Sequence, residues 1–98
     1  MIAPYSFHEV ATDEFNEAAA YYDTEHRGLG SLFIDAVVSA IAHIREYPES
    51  CAVLRDRNRR MLVHGFPYSL VYSFVGGHVR ILAVAHGSRR PYYWSGRH

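Results

Sequence analysis

The hydrophobic period of this sequence changes once, near Pro48, and that change restricts the fold more than any single motif. Before it, Ala11, Phe15, Ala18, Ala19 and Tyr22 recur at helical spacing, while Asp13, Glu14, Glu17 and Asp23 lie off the stripe. Arg27-Gly28-Leu29-Gly30 interrupts the pattern. A second stripe of Leu32, Phe33, Ala36, Val37, Ala40, Ile41 and Ile44 predicts a helix over about 30–46, stopped by Pro48. So short a break makes the two helices an antiparallel hairpin. The first helix has two candidate starts. Ser6 and Glu9 stand at capping-box spacing, or Thr12 caps with Asp13 and Glu14 in the first turn.

After Pro48 the period falls to two. Residues 51–54 form a weak apolar run, 59–64 a better one, and Gly65-Phe66-Pro67 a turn. Tyr68, Leu70, Tyr72 and Phe74 alternate with Ser69, Val71 and Ser73. Gly76-Gly77 is a hairpin signal, because both positions tolerate the positive φ of a type I′ turn. Residues 79–85 are apolar on both parities, the pattern of a central strand covered on both faces. At the start, 2–8 reads as a short first strand, with Pro4 suited to a strand start or edge. Strand, helix, helix and a three- or four-stranded meander predict an α+β domain. In it the N-terminal helical hairpin packs on one face of a small, mostly antiparallel β-sheet. Ninety-eight residues build one core, so a single domain over 1–98 is expected.

A hydrophobic fraction of 49% with 20% charged residues excludes a disordered chain. No apolar run reaches the ~18 residues of a membrane span, and no charged-then-apolar leader opens the sequence. A cytoplasmic location without membrane contact is therefore expected. The single cysteine, Cys51, excludes an internal disulfide framework and a multi-cysteine zinc site, and is expected to be a small buried residue. The histidines show no close metal-ligand spacing. No glycine-rich phosphate loop, nucleophile elbow or Cys–His pair occurs. Neither a metal nor a cofactor is expected.

Net charge is zero, but as the sum of opposite halves. Residues 1–50 carry nine acids against Arg27 and Arg45, giving −7, and residues 51–98 carry Asp56 against eight arginines, giving +7. Every base is arginine, whose planar fork suits phosphate and carboxylate. The second half of the chain is where an anionic partner is expected.

Several stretches then fall in a recognisable order. They are Glu14-Phe15-Asn16-Glu17-Ala18-Ala19-Ala20-Tyr21-Tyr22, Gly28-Leu29-Gly30 with Phe33, Tyr47-Pro48, Arg60-Met61-Leu62-Val63 and Phe66-Pro67-Tyr68-Ser69-Leu70-Val71-Tyr72. Ile81-Leu82-Ala83-Val84-Ala85-His86 and Arg89-Arg90-Pro91-Tyr92-Tyr93-Trp94, with Arg97, complete the set. Across nearly its whole length the sequence resembles the RelE/ParE superfamily of toxins from bacterial type II toxin–antitoxin systems. The resemblance implies the fold just derived and growth inhibition by the free toxin. It also implies a cognate antitoxin, expected to carry an acidic, partly disordered segment that the +7 half would attract. Relatives with this fold divide into ribosome-dependent endoribonucleases (mRNA interferases) and poisons of DNA gyrase. The resemblance thus implies one of these activities, on ribosome-bound mRNA or on gyrase, or a binding module that keeps the fold without toxicity.

Cutting RNA by 2′-hydroxyl attack needs a proton acceptor, a positive group for the phosphorane and an acid for the leaving oxygen. On the resemblance, His86, Arg89 and Tyr93 are the candidate catalytic residues. His86 ends a buried strand at the sheet's rim, where it serves as acid or base, or as a structural histidine bonded to a backbone carbonyl. Arg89 follows through a Gly-Ser turn. Tyr93 stands near the C-terminal tyrosine that assists the RNA-cutting relatives. Arg60, Arg90 and Arg97 are the candidates for binding nucleic acid or partner. Arg80 shares strand parity with His86 but lies roughly 20 Å along the strand, so a structural role is expected. Trp94 is expected to fold back on the core. One departure stands out: where the nucleases carry a functional arginine in the strand motif, this chain has Ser69, which cannot replace a guanidinium at a phosphate. Phe66-Pro67-Tyr68 resembles the ParE branch more closely. His86 with a downstream arginine and tyrosine is, conversely, more catalytic equipment than a gyrase binder needs.

Overall fold

The computed structural model describes residues 2–98. Strand β1 (Tyr5–Phe7) leads into helix α1 (Glu9–Glu25), which turns back as α2 (Leu29–Glu46). Strands β2 (Ala52–Val53), β3 (Arg59–Leu62), β4 (Tyr68–Val75) and β5 (His78–His86) follow. Among the described residues they form a five-stranded sheet in the order β1-β5-β4-β3-β2. β1 runs parallel to β5 and every other pairing is antiparallel. The expected helical hairpin on a mostly antiparallel sheet is therefore present, with a four-stranded meander and a first strand shorter than 2–8.

Neither expected start of α1 is used. His8 is the cap: its backbone is extended and its Nδ1 accepts from the Val10 N–H at 3.1 Å. Its own N–H donates to the Ile81 carbonyl at 2.8 Å, so one residue closes β1 onto the sheet and opens the helix. Between the helices, Gly28 takes a φ of +88°, which favours glycine. The side chain of Asp23 then accepts from the Gly30 N–H at 2.8 Å, satisfying a free donor of the first turn of α2. After α2, the Tyr72 hydroxyl donates to the Pro48 carbonyl at 2.7 Å. Arg59 donates to the carbonyls of Glu49 and Cys51 at 2.9 and 2.8 Å. Cys51 is only partly buried, because it lies in this connection rather than in the core.

The main core lies between hairpin and sheet, where Ala11 and Ala18 of α1 and Phe33, Val37, Ala40, Ile41 and Ile44 of α2 meet Leu70, Tyr72, Val79, Ile81 and Val84. The register of β5 explains its unbroken apolar run. Tyr72 faces Ile81 and Val71 faces Ala83, so Leu82 is an extra residue, a bulge that reverses parity. Val79 and Ile81 before the bulge and Val84 after it all face the helices. Arg80 and His86 therefore emerge on opposite faces, a correction to the parity that spacing alone assigned. Arg80 has the structural role expected of it, donating to Ser6 Oγ at 3.0 Å and the Phe7 carbonyl at 2.8 Å.

The opposite face of the sheet carries a second, smaller cluster of Val71, Ala83 and Trp94, with Leu54, Ala85 and Tyr93 against it. Trp94 comes from the tail, which crosses this face as expected. Among the described residues no helix is long and apolar enough to cross a membrane.

Candidate functional site: an arginine cleft at the end of the sheet

After β5 the chain reverses. The Gly87 N–H donates to the Pro67 carbonyl at 2.8 Å and the Arg89 N–H to the His86 carbonyl at 3.0 Å. Three successive turns then carry residues 90–97 across the sheet. Tyr92 sits in the left-handed region at φ +59°, uncommon for a bulky side chain, with the Arg55 guanidinium 3.9 Å from its ring centroid. The tail so held makes one wall of a cleft of about 240 Å³, whose lining includes Arg60, Ser69, His86, Arg89, Arg90 and Tyr92. A second cleft of about 240 Å³ opens on the helix side, between α1 and the sheet, where Glu17, Tyr21 and Tyr68 contribute. His86 and Arg89 line both.

His86 pairs with Tyr68 across the strands, their rings edge to face with centroids 5.0 Å apart. Its Nδ1 accepts the Ser88 backbone N–H at 3.0 Å and lies 2.8 Å from Ser88 Oγ. A backbone N–H only donates, so the proton of the neutral ring resides on Nε2. The structural partner of His86 is thus an amide N–H, not the carbonyl considered from sequence. Arg89 is half exposed, its guanidinium 3.8 Å from the Tyr93 ring centroid and 4.0 Å from Glu14 Oε2. Arg60 projects from β3 opposite Val71, and both it and Arg90 are exposed. Neither forms an ion pair among the described residues.

Tyr93 is partly buried and also lines the cleft. Its hydroxyl donates to Glu14 Oε2 at 2.9 Å. Burial, then this bond and the charge of Glu14, push the phenol far above its ordinary value of 10, against the opposing pull of Arg89 and Arg97. Arg97, expected with the binding arginines, is not brought into the cleft. Its Nη1 donates to Glu14 Oε1 at 2.9 Å and to the Leu82 carbonyl at 3.0 Å, and its Nη2 to Glu14 Oε2 at 3.1 Å. The reason lies in the sheet. β1 reaches only to Ile81, so beyond it the edge of β5 lacks a strand neighbour among the described residues. The Leu82 carbonyl and the Val84 N–H need partners there, and Arg97 and Glu14 supply them, the latter at 3.0 Å.

Glu14 is the residue that sequence reasoning missed. It reads as one more acid off the apolar stripe, and its only signal was its place at the head of the first matched stretch. In the fold its side chain is 11% exposed and accepts from Val84, Tyr93 and Arg97. Among the described residues no three histidine, cysteine or carboxylate side chains converge as metal ligands. The cleft can therefore bind an anion through guanidinium groups and the Nε2–H of His86. The atoms beside it able to take a proton, His86 Nδ1 and the oxygens of Glu14, are already hydrogen-bonded.

This architecture has solved counterparts. A structure described as the chromosomal ParDE toxin–antitoxin system from P. aeruginosa superposes with a TM-score of 0.74 at 11% identity, covering 87% of this chain and 96% of that one. A mutant of the E. coli toxin RelE in the free state superposes with a TM-score of 0.67 at 20% identity, covering 90% and 86%. At these identities the likeness is one of fold. No curated protein sequence matches the chain. The family described as the ParE toxin of the type II toxin–antitoxin system parDE matches residues 5–91, and the chain belongs to that toxin family.

Proposed function

We propose that this ParE-family toxin acts by binding rather than by cutting, as a gyrase poison, with Arg60, Arg89 and Arg90 as the contacts to DNA phosphate or protein carboxylate. One observation carries this reading: His86, the only imidazole lining the cleft among the described residues, has its Nδ1 committed to the Ser88 N–H. Base action at Nε2 would require the other tautomer and would set the Nδ1–H against that N–H. Ser69, in the place of the nucleases' arginine, and the bonded phenol of Tyr93 point the same way. The cognate antitoxin would neutralise the toxin in the cytoplasm by laying an acidic, partly disordered segment over the same three arginines. That contact would weaken as salt rises.

A second reading, ribosome-dependent mRNA cleavage, is favoured by the presence of His86 beside Arg89 in the cleft; protonating a leaving oxygen would take the doubly protonated ring, with the Ser88 N–H released from Nδ1. Two assays separate them. Purified toxin added to gyrase and plasmid should accumulate cleaved DNA, while mRNA in a translating extract stays intact. The triple substitution of Arg60, Arg89 and Arg90 by Ala should abolish the cleaved DNA. His86→Gln, which keeps a side-chain N–H donor but cannot carry a proton away, should retain it. Cut mRNA with intact plasmid, lost on His86→Gln, would replace the first reading with the second. Antitoxin binding with neither activity would identify a non-toxic binding module.

A further inference from the structure

Glu14 has one negative charge and two arginines within reach of it. Arg97 grips it through both terminal nitrogens, at 2.9 and 3.1 Å, and is 15% exposed. Arg89 stands back at 4.0 Å from Oε2, its side chain 52% exposed on the rim shared by the two clefts. The ring of Tyr93 lies against both guanidinium groups, 3.8 Å from that of Arg89 and 5.2 Å from that of Arg97. The fold gives Arg97 the fuller contact because the Leu82 carbonyl, on the bare edge of β5, anchors it there.

We propose that Arg97 is a positioning residue that keeps Arg89 available: by neutralising Glu14 it prevents the carboxylate from drawing Arg89 off the rim. Arg97 then acts on the cleft without touching a ligand. The proposal rests on the reading above only in treating Arg89 as a working residue. Taking Arg97 away leaves a largely buried carboxylate with a missing counterion, and the nearest replacement is Arg89, which needs only a small side-chain movement to bond Oε2 directly. A partly buried carboxylate left so exposed to one neighbouring cation will form that bond.

The test reads Arg89 itself rather than any target. The purified full chain is treated with phenylglyoxal, which modifies accessible guanidinium groups, and each arginine is followed by mass spectrometry. In Arg97→Gln, Arg89 should react about tenfold more slowly than in the native protein, the protection expected of one charge-assisted hydrogen bond. In Glu14→Gln/Arg97→Gln the attracting charge is gone, and Arg89 should react faster than in the native protein. Arg97→Lys keeps a positive charge at Glu14 and should stay near the native rate. Arg60 and Arg90 should be unmoved throughout. A merely structural role for the pair predicts the opposite order, with Arg89 exposed in Arg97→Gln and no recovery in the double variant. An unchanged or raised Arg89 rate in a folded Arg97→Gln protein overturns the proposal. Trp94, the single tryptophan of the chain, reports by its emission whether the tail is still docked. If Arg97→Gln loses that emission, its Arg89 rate is compared with that of the double variant, which lacks the same Arg97 contact, and a rate no faster in the double variant overturns the proposal. A footprint that follows the prediction while Arg89→Ala leaves gyrase poisoning intact would sustain the charge balance and discard the functional reading.

Discussion

Gly30→Ala is a sharp test of how the helical hairpin is built. Gly30 is buried in the first turn of α2, where α1 passes close enough for Asp23 to accept its N–H at 2.8 Å. A Cβ at Gly30 would lie 2.6 Å from the Ala19 carbonyl oxygen and equally near Asp23 Cγ and Oδ1. The Asp23 side chain can rotate away, but the Ala19 oxygen is helix backbone. Favourable contacts begin near 3.5 Å, so α1 must retreat by about 1 Å or the turn must open. Overpacking of this kind costs about 1–3 kcal/mol. Losing the Asp23 bond adds about 1 kcal/mol, and the better helix propensity of alanine returns about 1 kcal/mol. The net is a loss of about 1–3 kcal/mol, which in a domain of this size lowers Tm by about 5–20 °C. Far-UV circular dichroism melts would measure it. Asp23→Ala alone should cost only the hydrogen bond. The double variant should remain less stable than Asp23→Ala, because the Ala19 oxygen still obstructs. A Gly30→Ala protein melting at or above the native temperature would show that the hairpin yields without cost, and the close-approach argument would be wrong.

Two further outcomes follow from the same structure. Burial first, then hydrogen bonding, raises the Tyr72 and Tyr93 phenols well above their ordinary value of 10, so the fold favours their neutral forms. The stabilisation they contribute is fully present below about pH 10 and is lost as pH climbs from there toward the raised folded values. Urea midpoints measured from pH 8 to 11 should therefore fall at the alkaline end, less steeply in Tyr93→Phe. Trp94→Ala removes the aromatic that covers Val71 and Ala83 and should cost about 3–5 kcal/mol, within the range for deleting a buried aromatic. It should also open the tail wall of the arginine cleft, seen as faster proteolysis beyond Gly87 in the intact chain.

The helices were legible because their signals are local: a 3.6-residue apolar stripe, a glycine break, a terminating proline. Gly76-Gly77 was legible for the same reason, and both adopt the positive φ that the turn requires, at +60° and +77°. The bulge at Leu82 was not, because an apolar run on both parities is what a doubly covered strand and a parity reversal both produce. Its consequence was the wrong shared face for Arg80 and His86. The start of α1 was missed because histidine rarely advertises a cap, while the serine and threonine nearby do. At the site, the cleft arginines 60, 89 and 90 could be read from the charged second half of the chain. Arg97 could not be told apart from them. What distinguishes it is the bare edge of β5 and a carboxylate from a helix 83 residues away in sequence.

The opposed −7 and +7 halves also acquire a physical meaning. They are not two separate surfaces facing different partners. One acid, Glu14, crosses from the helices into the basic half and fixes Arg97 there, while Arg59 and Arg80 serve backbone carbonyls and Arg55 lies over Tyr92. Four of the eight arginines of the second half are thereby engaged within the fold. Arg60 from β3 and Arg89 and Arg90 from the tail line one cleft of about 240 Å³, so the anionic contact this surface suits is local: a phosphate or two, or a short run of carboxylates. A long polyanion tracking along the sheet would meet Arg80 tied to β1 and Arg97 tied to Glu14. On the proposed function, in which target and antitoxin share this patch, a short acidic segment covering it would be sufficient to silence the toxin.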